Sequence, residues 1–196
     1  MKINYPGNIK KQEFSKVNNY GNRGMTLEDD LNDTNNYYLE KDIAVIYKKP
    51  TPIQVVSTNF EKITKAYFKQ PSTTDYNGIY KGHYIDFEAK ETTSKTSFPL
   101  SNIHKHQIMH LKRIIKHGGI GFLIVRFTKL NKTYFLFAKD FINYIEATNK
   151  KSVPIIFFEK SGYEITLKLN PRLDYLEIID KYGGILWMIK KRKNLN

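Results

Sequence analysis

The run Ile120–Phe127 (IGFLIVRF) constrains the fold of this chain more than any other segment. A strand with one wet face alternates apolar and polar side chains, because neighbouring residues point to opposite sides. Here successive positions are apolar, so both sides need cover, and the run reads as a strand inside a sheet with layers above and below it. Gly118 and Gly119 precede it and supply a C-cap for a helical stretch from Ser101 to His117. Around this strand, helical and extended patterns alternate. Thr26–Lys41 reads as a helix, with Thr26 as N-cap and Glu28, Asp29 and Asp30 in the first turn. Ile43–Lys48 reads as a short strand broken by Pro50 and Pro52, and Glu61–Gln70 as an amphipathic, basic stretch ended by Pro71. Asp75–Tyr80 and Tyr84–Lys90 read as a hairpin turning at Lys81-Gly82. Thr133–Ala138 is a further strand and Lys139–Lys151 a helix; weaker signals follow for a strand over Gly162–Leu169 and a helix over Tyr175–Tyr182. The alternation places the chain in the α/β class. Its 196 residues predict one domain, large enough to bury a core without staples.

Charge narrows the function. Lys and Arg number 32 against 19 Asp and Glu, a formal excess of +13. An excess of that size calls for a polyanionic partner, nucleic acid first and an anionic membrane surface second. The absence of cysteine excludes disulfides, thiolate nucleophiles and Cys-ligated metal sites. No apolar run approaches the roughly 18 residues of a membrane span, and the N-terminus has no apolar stretch to serve as a signal peptide. The expected address is cytoplasm or nucleoid. Residues 1–22 read as a flexible basic arm, 23–182 as the folded domain, and 183–196, with Trp187 and Lys190–Lys193, as a basic C-terminal extension.

The sharpest chemical signal is Asp75, then Glu88-Ala89-Lys90. Glu88 and Lys90 stand two apart on one strand and share a face. A hairpin turn brings Asp75 beside Glu88. Two carboxylates and a lysine on one face suit a hard divalent cation and a water nucleophile attacking a phosphodiester. Taken alone, the same three residues also fit a solvated strand face with a cross-strand ion pair. His106 and His110 have the spacing of a zinc-protease helix, but Gln107 stands where that motif needs a glutamate. The histidines are expected on the DNA face or in solvent.

The surrounding motifs carry more information than the triad. Asn22-Arg23-Gly24-Met25-Thr26-Leu27-Glu28 stands upstream, and Lys69-Gln70-Pro71-Ser72-Thr73-Thr74-Asp75-Tyr76-Asn77-Gly78 leads into the first carboxylate. Tyr84-Ile85-Asp86-Phe87-Glu88-Ala89-Lys90-Glu91-Thr92 holds the second, followed by Lys95–Leu100, His106-Gln107 and His117-Gly118-Gly119. In order and spacing this resembles the RecU family of Holliday junction resolvases of Gram-positive bacteria and mollicutes, from about Asn22 to Phe127 and more faintly to Asp180. The resemblance implies a restriction-endonuclease-like fold, a mixed central sheet flanked by helices with a projecting stalk at about 58–72. It also implies Mg²⁺-dependent cleavage of four-way junctions by a homodimer, with Mn²⁺ as a substitute cation, and contacts with RecA and RuvB. By the same resemblance, Asp75 and Glu88 are metal-binding carboxylates, Thr73 and Gln107 complete the metal shell, and Lys90 stabilises the transition state. Glu28 matches an acidic helix residue of such nucleases, although a favourable charge at a helix N-terminus explains it equally. Arg23, Lys62, Lys65, Tyr67, Phe68 and Lys69 are candidate DNA contacts. Lysines there meet phosphates and the two rings offer flat surfaces to unstacked bases; the competing reading makes Tyr67 and Phe68 core anchors. The sequence departs from the family pattern in being short between Val56 and Ala66. Two alternatives compete with junction resolution: another nuclease on the same fold, and a non-catalytic junction-binding recombination mediator.

Overall fold

A computed structural model describes residues 26–60, 62–69 and 73–183. The expected N-terminal arm, Arg23 and the C-terminal extension beyond residue 183 lie outside the described residues. In chain order the elements are α1 (Leu27–Glu40), β1 (Val45–Lys48), β2 (Ile53–Asn59), β3 (Lys62–Phe68), β4 (Tyr76–Tyr80), β5 (His83–Thr92), β6 (Ser97–Pro99), α2 (Lys105–Lys116), β7 (Ile120–Phe127), β8 (Lys132–Phe137), α3 (Ala138–Ala147), β9 (Ser152–Pro154), α4 (Ile155–Ser161), β10 (Tyr163–Glu164) and α5 (Leu176–Ile178).

Six strands form a central mixed sheet in the order β1-β4-β5-β7-β8-β10, in which β5 and β7 are parallel and the other neighbours antiparallel. Strand β7 is buried along its whole length, as its composition requires. Its two faces serve separate cores. Phe122 and Ile124 join Leu27, Leu31 and Tyr38 of α1 and Tyr175 and Leu176 near the C-terminal helix. Leu123, Val125 and Phe127 join Leu111 of α2, Phe141 of α3 and Phe158 of α4. Through the middle of the first core runs a cross-strand ladder of stacked rings, Tyr76–Phe87–Phe122–Phe135, with centroids 4.8, 4.6 and 4.4 Å apart.

One charge interrupts the β7 run. Arg126 is buried, with Nη2 2.5 Å from Asp30 Oδ2 and Nε donating to Thr133. Arg172 pairs with the other oxygen of Asp30 at 2.7 Å. Both charges of Asp30's network come from elements distant in sequence, and they hold α1 against the sheet. Helix α1 starts where expected: Thr26 and Asp29 close a reciprocal capping box. Gly78 lets β1 lie close, since a Cβ there would stand 2.1 Å from the Val45 carbonyl oxygen.

Two expectations change. The stretch Glu61–Gln70 contributes strand β3, which pairs with β2 in a separate two-stranded hairpin beginning at Ile53. Every residue of both strands is exposed, so the hairpin stands clear of both cores. The strand over Gly162–Leu169 shrinks to two paired residues, and the β6–β9 pair and α4 carry no strong local signal. Among the described residues no helix is long and apolar enough to cross a membrane.

Candidate active site

The β4–β5 hairpin builds the site. Lys81 and Gly82 both take positive φ (48° and 79°), the turn whose twist matches the flanking strands. Glycine meets that requirement without strain. The turn sets Tyr76 opposite Phe87, so Asp75, one residue earlier, falls beside Glu88. Asp75 Oδ2 accepts the Ala89 amide N–H at 3.0 Å and lies 3.7 Å from Lys90 Nζ. Lys90 Nζ donates to Glu88 Oε1. Asp75, Glu88 and Lys90 are therefore gathered as the spacing predicts.

Glu88 is fully buried. Burial, and then the neighbouring Asp75 charge, push its carboxyl up to about 8; Lys90 opposes this in part. Its Oε1 also accepts Gln107 Nε2 at 2.6 Å from α2, while Oε2 is buried without a hydrogen-bond partner. An orphaned carboxylate oxygen beside a second carboxylate fits a hard divalent cation. Among the described residues no three acid or histidine side chains converge. A cation here would take its remaining ligands from neutral oxygens, water and substrate phosphate, which suits Mg²⁺. Gln107 is in place but turned: its oxygen accepts the His104 N–H at 2.9 Å and its nitrogen faces Glu88. Presenting oxygen to a cation requires rotation of the amide and loss of that cap bond.

Helix α1 closes the other side. Leu27 N donates to Glu91 Oε1 at 3.0 Å, docking the helix N-terminus on the end of β5. The result is a cleft of about 400 Å³ lined by Thr26, Leu27, Glu28, Asp75, Lys90 and Glu91, among others. Glu28 sits on its rim, paired with Lys48 and half exposed.

A second constellation adjoins the first. Asp86, two residues before Glu88 and on the same face of β5, is fully buried and accepts from Lys49, Thr74 and Tyr84, with His110 Nε2 at 3.0 Å. Lys49 Nζ also donates to Thr73 Oγ1 at 3.1 Å. Thr73 is thus joined to this cluster, and the hydrogen bond it makes here is not to Glu88. His110 points inward to Asp86 rather than to solvent or a DNA face, whereas exposed His104 and His106 stack on each other. The sequence reading singled out neither Asp86 nor Lys49, although the period-two rule that paired Glu88 with Lys90 also reaches Asp86.

The β2–β3 hairpin springs from this corner: Lys49 precedes it, Thr73 follows it, and Lys69 N donates to Pro52 O at 3.0 Å across its base. Tyr67 and Phe68 are 57% and 80% exposed and the tip residue Phe60 is 98% exposed, which rules out core anchoring. Lys62 and Lys65 share the strand with them, and Lys65 Nζ lies 5.6 Å from the Tyr67 ring centroid.

With this geometry in view, comparison with known proteins is direct. The family model described as "RecU: Recombination protein U" matches residues 22–181. Holliday junction resolvase RecU of Geobacillus sp. (strain WCH70) is 51% identical, covering 92% of this chain and 98% of that protein. The protein of the same name from Geobacillus kaustophilus (strain HTA426) is 53% identical over 90% of this chain and 92% of its own length. Among solved structures, Archaeoglobus fulgidus Hjc, a Holliday junction resolvase, matches 66% of this chain and 90% of its own, at 12% identity and a TM-score of 0.38.

Proposed function

The chain belongs to the RecU family, Recombination protein U, and from that membership we propose that it is a structure-selective DNA endonuclease that resolves Holliday junctions by paired, symmetric nicking. The observation that carries this reading is the buried, unshared Glu88 Oε2 beside Asp75 and Lys90, at the foot of an exposed hairpin bearing lysines and aromatic rings.

In this reading Asp75 and Glu88 hold Mg²⁺, or Mn²⁺ in its place, with Gln107 and Thr73 near the shell; bound there, the cation supplies a water of lowered pKa and neutralises charge on the phosphate. Lys90 stands against both carboxylates and is placed to hold the attacking water or to donate to a phosphate oxygen as negative charge builds. The cleft between α1 and β5 receives the strand. Hydrolysis adds water oxygen to phosphorus and breaks one P–O ester bond. Lys62, Lys65 and Lys69 meet phosphates, while Tyr67 and Phe68 stack on bases unpaired at the crossover.

Two opposed nicks call for two sites, hence a two-fold homodimer. An uncovered face of the sheet supports it. Val45, Ile79 and Tyr84 pair across β1, β4 and β5 and point the same way, with Tyr47 beside them, and all four are exposed. Ile79→Lys is expected to convert a dimeric sedimentation coefficient to a monomeric one and to leave single, uncoupled nicks.

The deciding experiment compares a synthetic four-way junction with a matched linear duplex, in Mg²⁺ or Mn²⁺ for cutting and in Ca²⁺ or EDTA for binding. Paired nicks in the junction alone are expected. Tight junction binding with no cutting in either metal would make the chain a non-catalytic binding protein, and equal cutting of both substrates would make it a general nuclease.

A further inference from the structure

Three of the candidate metal-shell groups do not lie on β5. Asp75 and Thr73 come from the chain returning out of the hairpin, and Gln107 comes from α2, so something must register these separate segments against Glu88. Asp86 lies about 7 Å along the same face of the strand from Glu88. Its carboxylate is fully buried and is met from four places. Thr74 Oγ1 donates to Oδ1 from the segment that holds Thr73 and Asp75. Lys49 Nζ donates to Oδ2 at 2.7 Å from the segment entering the hairpin, and the same ammonium holds Thr73 and Thr74. The Lys49 backbone N–H donates to the Asp75 carbonyl at 2.8 Å. Tyr84 OH donates at 3.0 Å from the strand itself. His110 Nε2 stands at 3.0 Å, three residues beyond Gln107 and therefore on its side of α2.

We propose that Asp86 is the positioning residue of the site: one buried carboxylate clasps both legs of the hairpin and helix α2, and so registers the segments that carry Thr73, Asp75 and Gln107 against Glu88. The role is indirect, since Asp86 reaches the reacting atoms through Lys49, Thr74 and His110. It rests on the reading of Asp75 and Glu88 as a metal site and names what aligns that site. Burying the Lys49–Asp86 pair costs desolvation energy that an apolar pair would not. Its return is geometric, because an ion pair with four directed donors fixes orientation where packed methyl groups would not.

The test measures metal binding on the free protein. Mn²⁺ is titrated calorimetrically into wild type, Asp86→Asn, and the charge-balanced pair Lys49→Met with Asp86→Asn, alongside thermal unfolding and junction binding in EDTA. Asp86→Asn is expected to weaken Mn²⁺ binding at least fivefold, with junction affinity in EDTA within about twofold of wild type. The double variant is expected to melt within a few degrees of wild type yet bind Mn²⁺ as weakly as the single one; if Asp86→Asn alone does not fold, the double variant decides. Wild-type Mn²⁺ affinity in Asp86→Asn, or its recovery in the double variant, overturns the proposal, because the carboxylate would then be a buried charge in need of a partner and nothing more. Wild type that binds no Mn²⁺ overturns the metal site and the clasp together. A protein that shows the expected metal pattern but cuts no junction keeps the clasp and loses the nuclease reading.

Discussion

Glu88→Gln should lower junction cleavage at least about a thousandfold, roughly 4 kcal/mol of barrier, while leaving the metal-free protein more stable than wild type at alkaline pH. The two effects have one cause. The Glu88 carboxyl titrates at about 8 in the fold against 4.5 for an ordinary glutamate, because burial and then Asp75 disfavour its charge. The folded state therefore holds a proton that the unfolded chain has released between these values. The stabilisation is complete below about 4.5 and is lost as pH rises through 8, at about 1.4 kcal/mol per pH unit. Wild type without metal should melt roughly 8–16 °C lower at pH 8.5 than at pH 5 from this group alone. Glutamine carries no proton to lose and keeps the hydrogen-bonding shape, so the variant's melting curve should lack that component. Mg²⁺ should restore wild type at pH 8.5, by occupying the ionised site, and should leave the variant unmoved. Melting in both proteins at the two pH values, with and without Mg²⁺, checks the argument independently of any cleavage assay. A pH dependence equal in both would show that Glu88 is ionised in the fold at neutral pH.

Excision of the β2–β3 hairpin should have the opposite signature, a large loss of junction recognition with little loss of stability. None of its residues belongs to either core. Its ends meet at the Pro52–Lys69 hydrogen bond, so a short Gly-Ser link in place of Ile53–Phe68 can close the gap. Thermal unfolding should change by no more than about 2–3 °C. Junction affinity should fall by about a hundredfold or more, in line with roughly 1–3 kcal/mol for each stacked base and the loss of the phosphate contacts of Lys62 and Lys65. Nicking of simple duplex should persist. The milder pair Tyr67→Ala with Phe68→Ala should reproduce the loss of junction preference while retaining the lysines, which separates stacking from charge. Equal losses on junction and duplex would mean that the hairpin is a general DNA contact.

The proposed clasp links these results. Lys49 and Thr73–Asp75 are the two legs of the hairpin, and the same residues border the proposed metal site. A junction arm that pulls on the hairpin pulls on segments tied to Asp86. The hairpin therefore adjoins the proposed site in the fold, through Lys49 on one leg and Thr73–Asp75 on the other.

The sequence by itself determined whatever depends on periodicity and local turn chemistry. A run of apolar residues broken only by Arg126 required a strand covered on both sides, and β7 divides two cores. Thr26 and the acids after it required a helix start, and the capping box is there. Lys81-Gly82 required a tight turn, which put Asp75 beside Glu88 and Lys90. Tertiary structure alone decided the rest. Tyr67 and Phe68 read as core anchors or as an exposed surface, because a seven-residue strand carries no record of what packs on it. His110 was legible as half of a spacing motif, yet its partner Asp86 stands 24 positions earlier, joined to it when α2 crosses β5. Lys49 meets Asp86 across 37 positions and Arg126 meets Asp30 across 96. Local sequence fixes which way a side chain leaves its own strand or helix; what it meets there is set by how distant elements pack, and burial then decides whether a charge such as Glu88 is an ordinary acid or one held near 8.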